Sequence, residues 1–361
     1  MQLFTQPEAV AFLYPFRKLG NQDRFLFLDI ETTGLSAKNS QIWLIGTLSH
    51  TEQEGWVLRQ WFSETLEDEA AMLRSFFDFA AGFSTLITFS GTRFDLPFLI
   101  DCAAQYGISH PFAEMTSLDL YRSVRPYRSL LGAGGLSRKA LERWLGITRL
   151  DKLSGEALAE VYGQYQASPD TALLQQLLLH NEEDLTILPQ LMSLLNYRDF
   201  LEGSFRFESC ADGEEALTLA LRSETVLPKA IEIKAPEDVR ITAEDSLLTA
   251  VIPKKRGLYY HYFSNYRDYY YLPLENRAVH KSIGAFVDAS ARVKATRETA
   301  CVKKDGVFLP LFGDWDDETP VFRKGIKDTA EYAEADLLDL GKEENAVRYL
   351  AQLLRVMKLR T

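Results

Sequence analysis

The sequence predicts an α/β domain built on a mixed sheet, followed by a smaller α+β domain. Three observations carry that reading. Before residue 200, apolar runs of strand length give way to segments of helical period. After residue 200 the texture changes to short strand-like pieces, and the chain closes on an amphipathic stretch over 342–358. At 361 residues and 41.1 kDa the chain has room for two domains and a sizeable core. The expected boundaries are an N-terminal extension over 1–20, the α/β domain over 21–199 and the accessory domain over 200–361.

The elements follow in order. Runs at 24–30, 41–48 and 56–62 read as three successive strands, and a helix follows at about 67–81. The short run "STLITF" at 84–89 reads as a strand, and 95–105 as a helix. Further helices fit 136–145, 155–166 and 170–196, the last carrying Leu173, Leu174, Leu177, Leu178, Leu185 and Leu188 along one broad face. Consecutive strands followed by alternating helices imply a mixed sheet with helices on its faces. In the accessory region "SFRFES", "LLTAVI", "GLYYHYF" and "YYYLPL" are the strand-like pieces.

Composition narrows the class. Hydrophobic content of 46% and charged content of 25% are those of an ordinary globular protein. No apolar run approaches the roughly 20 residues of a membrane span, so no membrane partner is expected. Cys102, Cys210 and Cys301 are odd in number and lack metal-ligand spacing, and they read as free thiols. With no basic segment leading into an apolar one at the N-terminus, a cytoplasmic location is expected. The net charge of −11 argues against a protein that coats nucleic acid nonspecifically, but not against an enzyme that handles it in a local groove.

The stretch "FLFLDIETTGL" at 25–35 places two acids at the end of an apolar strand. Side chains alternate with period two, so Asp29 and Glu31 project to one face. Two close like charges repel and raise a pKa unless a cation lies between them, and a hard divalent ion is the natural occupant. The alternative is a pair of acids capping a strand at a solvent edge. Two further segments bear on the choice. "LITFSGTRFDLPFLI" at 86–100 runs from a strand through a glycine turn to Asp95, opening a helix. "LLLHNEEDLTILPQL" at 177–191 puts His180 and Asp184 four apart on one helix face.

Together these segments resemble the three motifs of the DnaQ-like, or DEDD, 3′–5′ exonucleases. "DIETTGL" matches the first motif, and "SGTRFDLPFL" resembles the second with Ser90 where Asn is usual. "HNEED" resembles the third, with a His at the spacing usual for its Tyr form. The segments "SLDLYRSVRPY", "GLSRKALERWLGI" and "LSGEALAEVYGQY" are similar to the YprB-like branch of ribonuclease H-like proteins. The resemblance covers roughly 20–197 and implies a ribonuclease H-like fold, a mixed five-stranded sheet flanked by helices.

For this chain the resemblance implies two Mg²⁺ or Mn²⁺ ions held by Asp29, Glu31, Asp95 and Asp184, and hydrolysis of phosphodiester bonds at nucleic-acid 3′ ends, single-stranded ends foremost. His180 is the candidate general base, since imidazole titrates near neutrality; an isolated helix His is otherwise a surface or packing residue. Thr32, Thr33, Gly34, Leu35 and Phe94 are expected to line the terminal nucleotide's pocket, the first four reading equally as a strand-ending turn, and Arg93 could reach a phosphate, although a loop arginine is more often solvated. Asp119, which resembles an acid recurring after the second motif, stays outside the metal set, and Glu182 and Glu183 read as solvated. In "KKRGLYYHYFSNYRDYYYLP" at 254–273, Lys254, Lys255 and Arg256 stand among aromatics, as in platforms that stack single-stranded bases or in ordinary packed strands. Two other readings stay open: a nucleic-acid-binding or regulatory protein with weak or lost catalysis, and a structure-specific nuclease.

Overall fold

A computed structural model describes residues 1–313, 315 and 318–359. The chain divides into two compact units. One comprises Met1–Asp199 with Leu227–Lys229, the other Phe200–Val226 with the chain from Ala230 onward.

The first unit is built on a sheet. Among the described residues its strands are β1 (Gln2–Pro7), β2 (Phe25–Thr32), β3 (Ile42–Thr51), β4 (Gly55–Phe62), β5 (Thr85–Thr88) and β6 (Thr116–Asp119). Their order is β1-β4-β3-β2-β5-β6, antiparallel from β1 to β2 and parallel from β2 to β6. The sheet thus has six strands where five were expected. The extra one comes from the segment read as an extension: Gln2 to Pro7 pair with Phe62 to Val57. The edge of β4 would otherwise present a row of unpaired backbone groups.

Helices cover the sheet. They are α1 (Glu69–Ala80), α2 (Asp95–Gln105), α3 (Leu120–Val124), α4 (Arg128–Leu131), α5 (Arg138–Leu145), α6 (Gly155–Ala167) and α7 (Thr171–Leu191). Strand alternation decides what each face of β2 meets. Leu26, Leu28 and Ile30 join a core with Met72, Phe76, Phe98 and Leu99 of α1 and α2. Phe25, Phe27, Asp29 and Glu31 alternate with them on the other face, and Asn181 of α7 bonds Asp29 there. Beyond α7 a 3₁₀ turn, Met192–Leu194, leads into a helix over Leu195–Glu202, so the expected helix over 170–196 is two helices joined by a tighter turn.

One glycine sets the depth of that packing. A Cβ on Gly46 of β3 would lie 2.6 Å from Leu185 Cδ1 and overlap the Asn181 amide. Both contacts belong to α7, the helix that carries His180 and Asp184. Gly46→Ala is therefore expected to lower stability by about 2–3 kcal/mol through overpacking. Denaturant unfolding measures it, and an unchanged midpoint would show that α7 does not depend on this close approach.

The second unit is rich in antiparallel sheet. Its strands are β7 (Phe205–Asp212), β8 (Ala216–Ser223), β9 (Ile231–Lys234), β10 (Arg240–Glu244), β11 (Leu247–Pro253), β12 (Lys255–Tyr262), β13 (Tyr269–Leu272), β14 (Arg277–His280), β15 (Val293–Lys294), β16 (Cys301–Leu311) and β17 (Glu331–Glu334). They form sheets ordered β7-β8-β11-β10-β9, β12-β16-β17 and β14-β13-β15, and a helix over Glu343–Leu359 follows. The aromatic run divides between core and surface. Tyr259 is buried against Phe308 at 4.4 Å and Tyr332 at 4.9 Å between ring centroids, whereas Tyr260 and Tyr262 stack half-buried on the same strand. Among the described residues no helix is long and apolar enough to cross a membrane.

Candidate metal centre

Three elements of the first unit bring the predicted acids together. β2 delivers Asp29 and Glu31 on one face, followed by a register shift between Glu31 and Thr32 that bends the strand. α2 begins at Asp95, whose Oδ1 accepts the Ile30 backbone N–H at 3.2 Å. That contact holds Asp95 against the strand between the other two acids. α7 supplies His180 and Asp184 one turn apart.

Glu31, His180 and Asp184 form a group whose possible ligand atoms all lie within 4.8 Å of one another. His180 Nε2 is 3.6 Å from Glu31 Oε1 and 4.0 Å from Asp184 Oδ2. Its other ring nitrogen, Nδ1, lies 2.7 Å from Asp151 Oδ2. With Nδ1 protonated toward that carboxylate, Nε2 turns an open lone pair to the acids. Asp29 is held from the side by Asn181, whose Nδ2 donates to Asp29 Oδ2 at 3.1 Å.

Two arginines complete the centre. Arg138 Nη1 donates to Asp29 Oδ1 at 3.2 Å and to Asp184 Oδ2 at 2.8 Å, while Nη2 donates to the Asp184 carbonyl. Arg149 donates to Asp184 Oδ1 and is gripped by Glu142 through Nε at 2.7 Å and Nη2 at 2.6 Å. These cations act mainly on one acid. Burial alone would raise the Asp184 pKa, but the charges of Arg138 and Arg149 outweigh it and hold the carboxyl below its ordinary value.

The other acids go the opposite way. Asp29 is pushed up to about 7 by burial and then by the charge of Asp184. Burial, followed by the charges of Asp29 and Asp184, raises Glu31 well above its usual range. Asp95 is also raised to about 7 by burial, against the pull of two backbone N–H bonds. Two guanidinium groups therefore leave this cluster short of positive charge. Carboxylates are hard oxygen donors, and that chemistry fits a hard divalent cation.

The remaining predicted residues fall in different places. Thr32, Thr33 and Gly34 close a tight turn at the end of β2: Thr32 Oγ1 donates to the Gly34 carbonyl at 2.7 Å, and Thr33 exchanges bonds with Gln41. Leu35 is 89% exposed. Phe94 is half-buried, 5.6 Å from the Phe98 ring, and Arg93 is exposed. Lys254, Lys255 and Arg256 belong to the second unit, where Asp212 at 2.5 Å, Asp238 at 2.9 Å and the Glu214 carbonyl at 3.0 Å engage them. Asp119 binds the Ser90 and Thr92 backbone N–H groups and caps α3. It holds Ser90 at φ +65°, a left-handed conformation in which Asn is favoured over Ser.

Sequence reasoning missed Arg138, Arg149, Asp151, Asn181 and Glu142. Asn181 had a signal, since it lies three residues before Asp184 on the same helix. Glu183 was read as solvated, but its carboxylate accepts the Leu150 and Asp151 backbone N–H groups at 2.8 Å each. That clamp fixes the loop from which Asp151 reaches His180.

Residues 26–196 match a family model described as the RNase_H superfamily, and the α/β domain is RNase H-like. Among solved structures the chain is similar to Brucella melitensis NrnC bound to pGG, with 16% identity, 49% of this chain and 74% of that chain covered, and a TM-score of 0.30. It is also similar to the family B DNA polymerase of the archaeon Pyrobaculum calidifontis, at 12% identity, 92% and 46% coverage and a TM-score of 0.38. A third likeness is to apo Exonuclease I, at 12% identity, 56% and 57% coverage and a TM-score of 0.29. The match spans about half the length of the polymerase and of Exonuclease I. No curated protein matches the chain.

Proposed function

We propose that the RNase H-like domain is a metal-dependent 3′–5′ exonuclease, a member of the DEDD group, that hydrolyses phosphodiester bonds at nucleic-acid 3′ ends. The observation that carries this reading is the grouping of Glu31, His180 and Asp184, with Asp29 beside Asp184 across Arg138 and Asp95 bonded to the Ile30 N–H, and with Asp29, Glu31 and Asp95 pushed toward their protonated forms, by burial first. Asp29, Glu31, Asp95 and Asp184 would hold two Mg²⁺ or Mn²⁺ ions. Such ions supply the positive charge that acidifies a water and stabilises the attacking and leaving oxygens.

The chain's own groups do the rest. His180 Nε2, oriented by the Asp151 contact at Nδ1, accepts the proton of the attacking water. Asn181 keeps the Asp29 carboxylate turned into the cluster. The Thr32–Leu35 turn and Phe94 offer the terminal nucleotide backbone groups and an apolar surface.

The two guanidinium groups on Asp184 favour a second reading, a nucleic-acid-binding protein with weak catalysis. One assay separates the two. End-labelled DNA and RNA oligonucleotides are incubated with Mn²⁺, with Mg²⁺ or with EDTA. A metal-dependent ladder of products shortened from the 3′ end is expected from at least one substrate. Binding without shortening would install the second reading, and a single internal cut would assign a structure-specific nuclease.

A further inference from the structure

Arg138 stands where the acid cluster calls for a cation. Its Nη1 reaches one oxygen of Asp29 and one of Asp184, carboxylates contributed by a strand and a helix. We propose that Arg138 is an internal counter-ion that holds Asp29 and Asp184 together and must withdraw before a divalent cation can take both carboxylates. This inference rests on the metal reading above. It adds that the chain sets its own metal affinity through one side chain.

Three features separate Arg138 from a fixed structural arginine. The first is its neighbour. Arg149 is anchored by two hydrogen bonds that it donates to Glu142, so its place is fixed independently of Asp184. Arg138 is held more loosely on that side: its Nε makes only a 3.4 Å ion pair with Glu142 Oε1 and no hydrogen bond, and its one bond to the backbone is from Nη2 to the Asp184 carbonyl. A buried N–H without a hydrogen bond is costly, so this side of the seat holds the guanidinium less firmly than Glu142 holds Arg149.

The second feature is position in the helix. Arg138 is the first residue of α5, capped by Ser137, and the first turn of α5 contains no acid. A cation there faces the positive end of the helix dipole, the unfavourable end for it. The Asp29 and Asp184 carboxylates hold Nη1, so a competitor for them leaves the side chain only its bond to the Asp184 carbonyl and the longer pair with Glu142. The third feature is the approach. Gly132 and Gly134, just before α5, both have left-handed φ values, +63° and +69°. Glycine at such positions lets the backbone rotate at little cost, which gives the start of α5 a route to retreat.

The competition is a matter of shared lone pairs. A divalent ion of this class binds carboxylate oxygens directly at about 2 Å. The guanidinium uses the same oxygens as hydrogen-bond acceptors, so Asp29 Oδ1 and Asp184 Oδ2 cannot serve both fully.

Calorimetric titration of Mn²⁺ into the full, metal-free chain tests the proposal, with wild type, R138Q and R138K compared. R138Q is expected to bind Mn²⁺ roughly tenfold more tightly, because the binding-competent arrangement no longer waits on withdrawal of the guanidinium. R138K, whose compact head cannot span both acids as the fork does, is expected to fall between. Thermal melts give a second readout. R138Q is expected to melt lower than wild type in EDTA and to gain more on Mn²⁺ addition. If wild type and R138Q bind with equal affinity, or R138Q binds more weakly while folded, Arg138 is not a competitor and the metal reading stands without it. Should no form bind Mn²⁺, both the metal reading and this inference fail. Where R138Q does not fold, the R138K affinity decides.

Discussion

Asp29→Asn is expected to reduce metal-dependent shortening of nucleic-acid 3′ ends by on the order of a thousandfold or more. The substitution keeps shape and can keep the Asn181 bond, but it removes a charge from the middle of the cluster. Its effect on stability runs the other way. The Asp29 carboxyl is raised from the ordinary 3.8 to about 7, by burial first and then by the charge of Asp184. A raised carboxyl pKa means that the folded state holds the proton more tightly than the unfolded chain. The metal-free wild type therefore loses stability from this group as pH rises from 3.8 to about 7, and the loss persists above. Asp29→Asn cannot ionise, so the variant escapes that loss. In EDTA at pH 8 it is expected to be more stable than wild type, by on the order of 2 kcal/mol. Below about pH 4 the two are expected to converge. An active Asp29→Asn, or one that is less stable than wild type in EDTA at pH 8, would remove Asp29 from the metal set.

Opposite signs for activity and stability are what distinguish a functional acid from a structural one here. Asp119 provides the contrast within the same domain. It is 4% exposed, yet backbone N–H groups of Ser90, Thr92 and Arg122 surround it. An acid so satisfied belongs to the fold. Asp29 and Glu31 are instead raised by burial and then by neighbouring carboxylate charge, a perturbation of the kind that clusters at functional sites.

How much of this could be read from the residues follows from what fixes each position. β2, α2 and α7 were legible because a period and a boundary lie within a dozen residues: an apolar run ending in acids, a glycine turn before a helix, a long apolar face. The same-face placement of Asp29 and Glu31 was legible through spacing, and the four acids as a set through the resemblance of three motifs. β1 was not, because Gln2–Pro7 is polar and largely exposed and gains its strand conformation only by pairing with β4. Arg138, Arg149 and Asp151 were hidden for a related reason. They lie 46, 35 and 29 residues from their partners on α7, on a helix start and a loop whose place depends on the whole α4–α6 path. Local pattern says nothing about such distances. Gly46 was hidden too, since only the approach of α7 reveals that β3 has no room for a side chain there.

Asp151→Asn is expected to lower the rate by on the order of a hundredfold, with the loss in kcat and little change in KM. The geometry makes Asp151 a positioning residue. Its Oδ2 holds His180 Nδ1 at 2.7 Å, its Oδ1 accepts the Leu153 N–H at 3.1 Å, and its own N–H donates to Glu183 Oε2 at 2.8 Å. The carboxylate is thus fixed on both sides before it meets the ring. Replacing it by an amide allows an N–H to face Nδ1, which favours the tautomer that carries its proton on Nε2. That proton would point at Glu31 and Asp184, where the lone pair is needed. His180→Gln removes the acceptor entirely and should cost at least as much. Because the two residues act as one unit, the double substitution is expected to be no slower than His180→Gln alone. Independent, multiplying losses would show that Asp151 works through the loop and not through the ring. A His180→Gln variant with wild-type kcat would assign the proton to another acceptor.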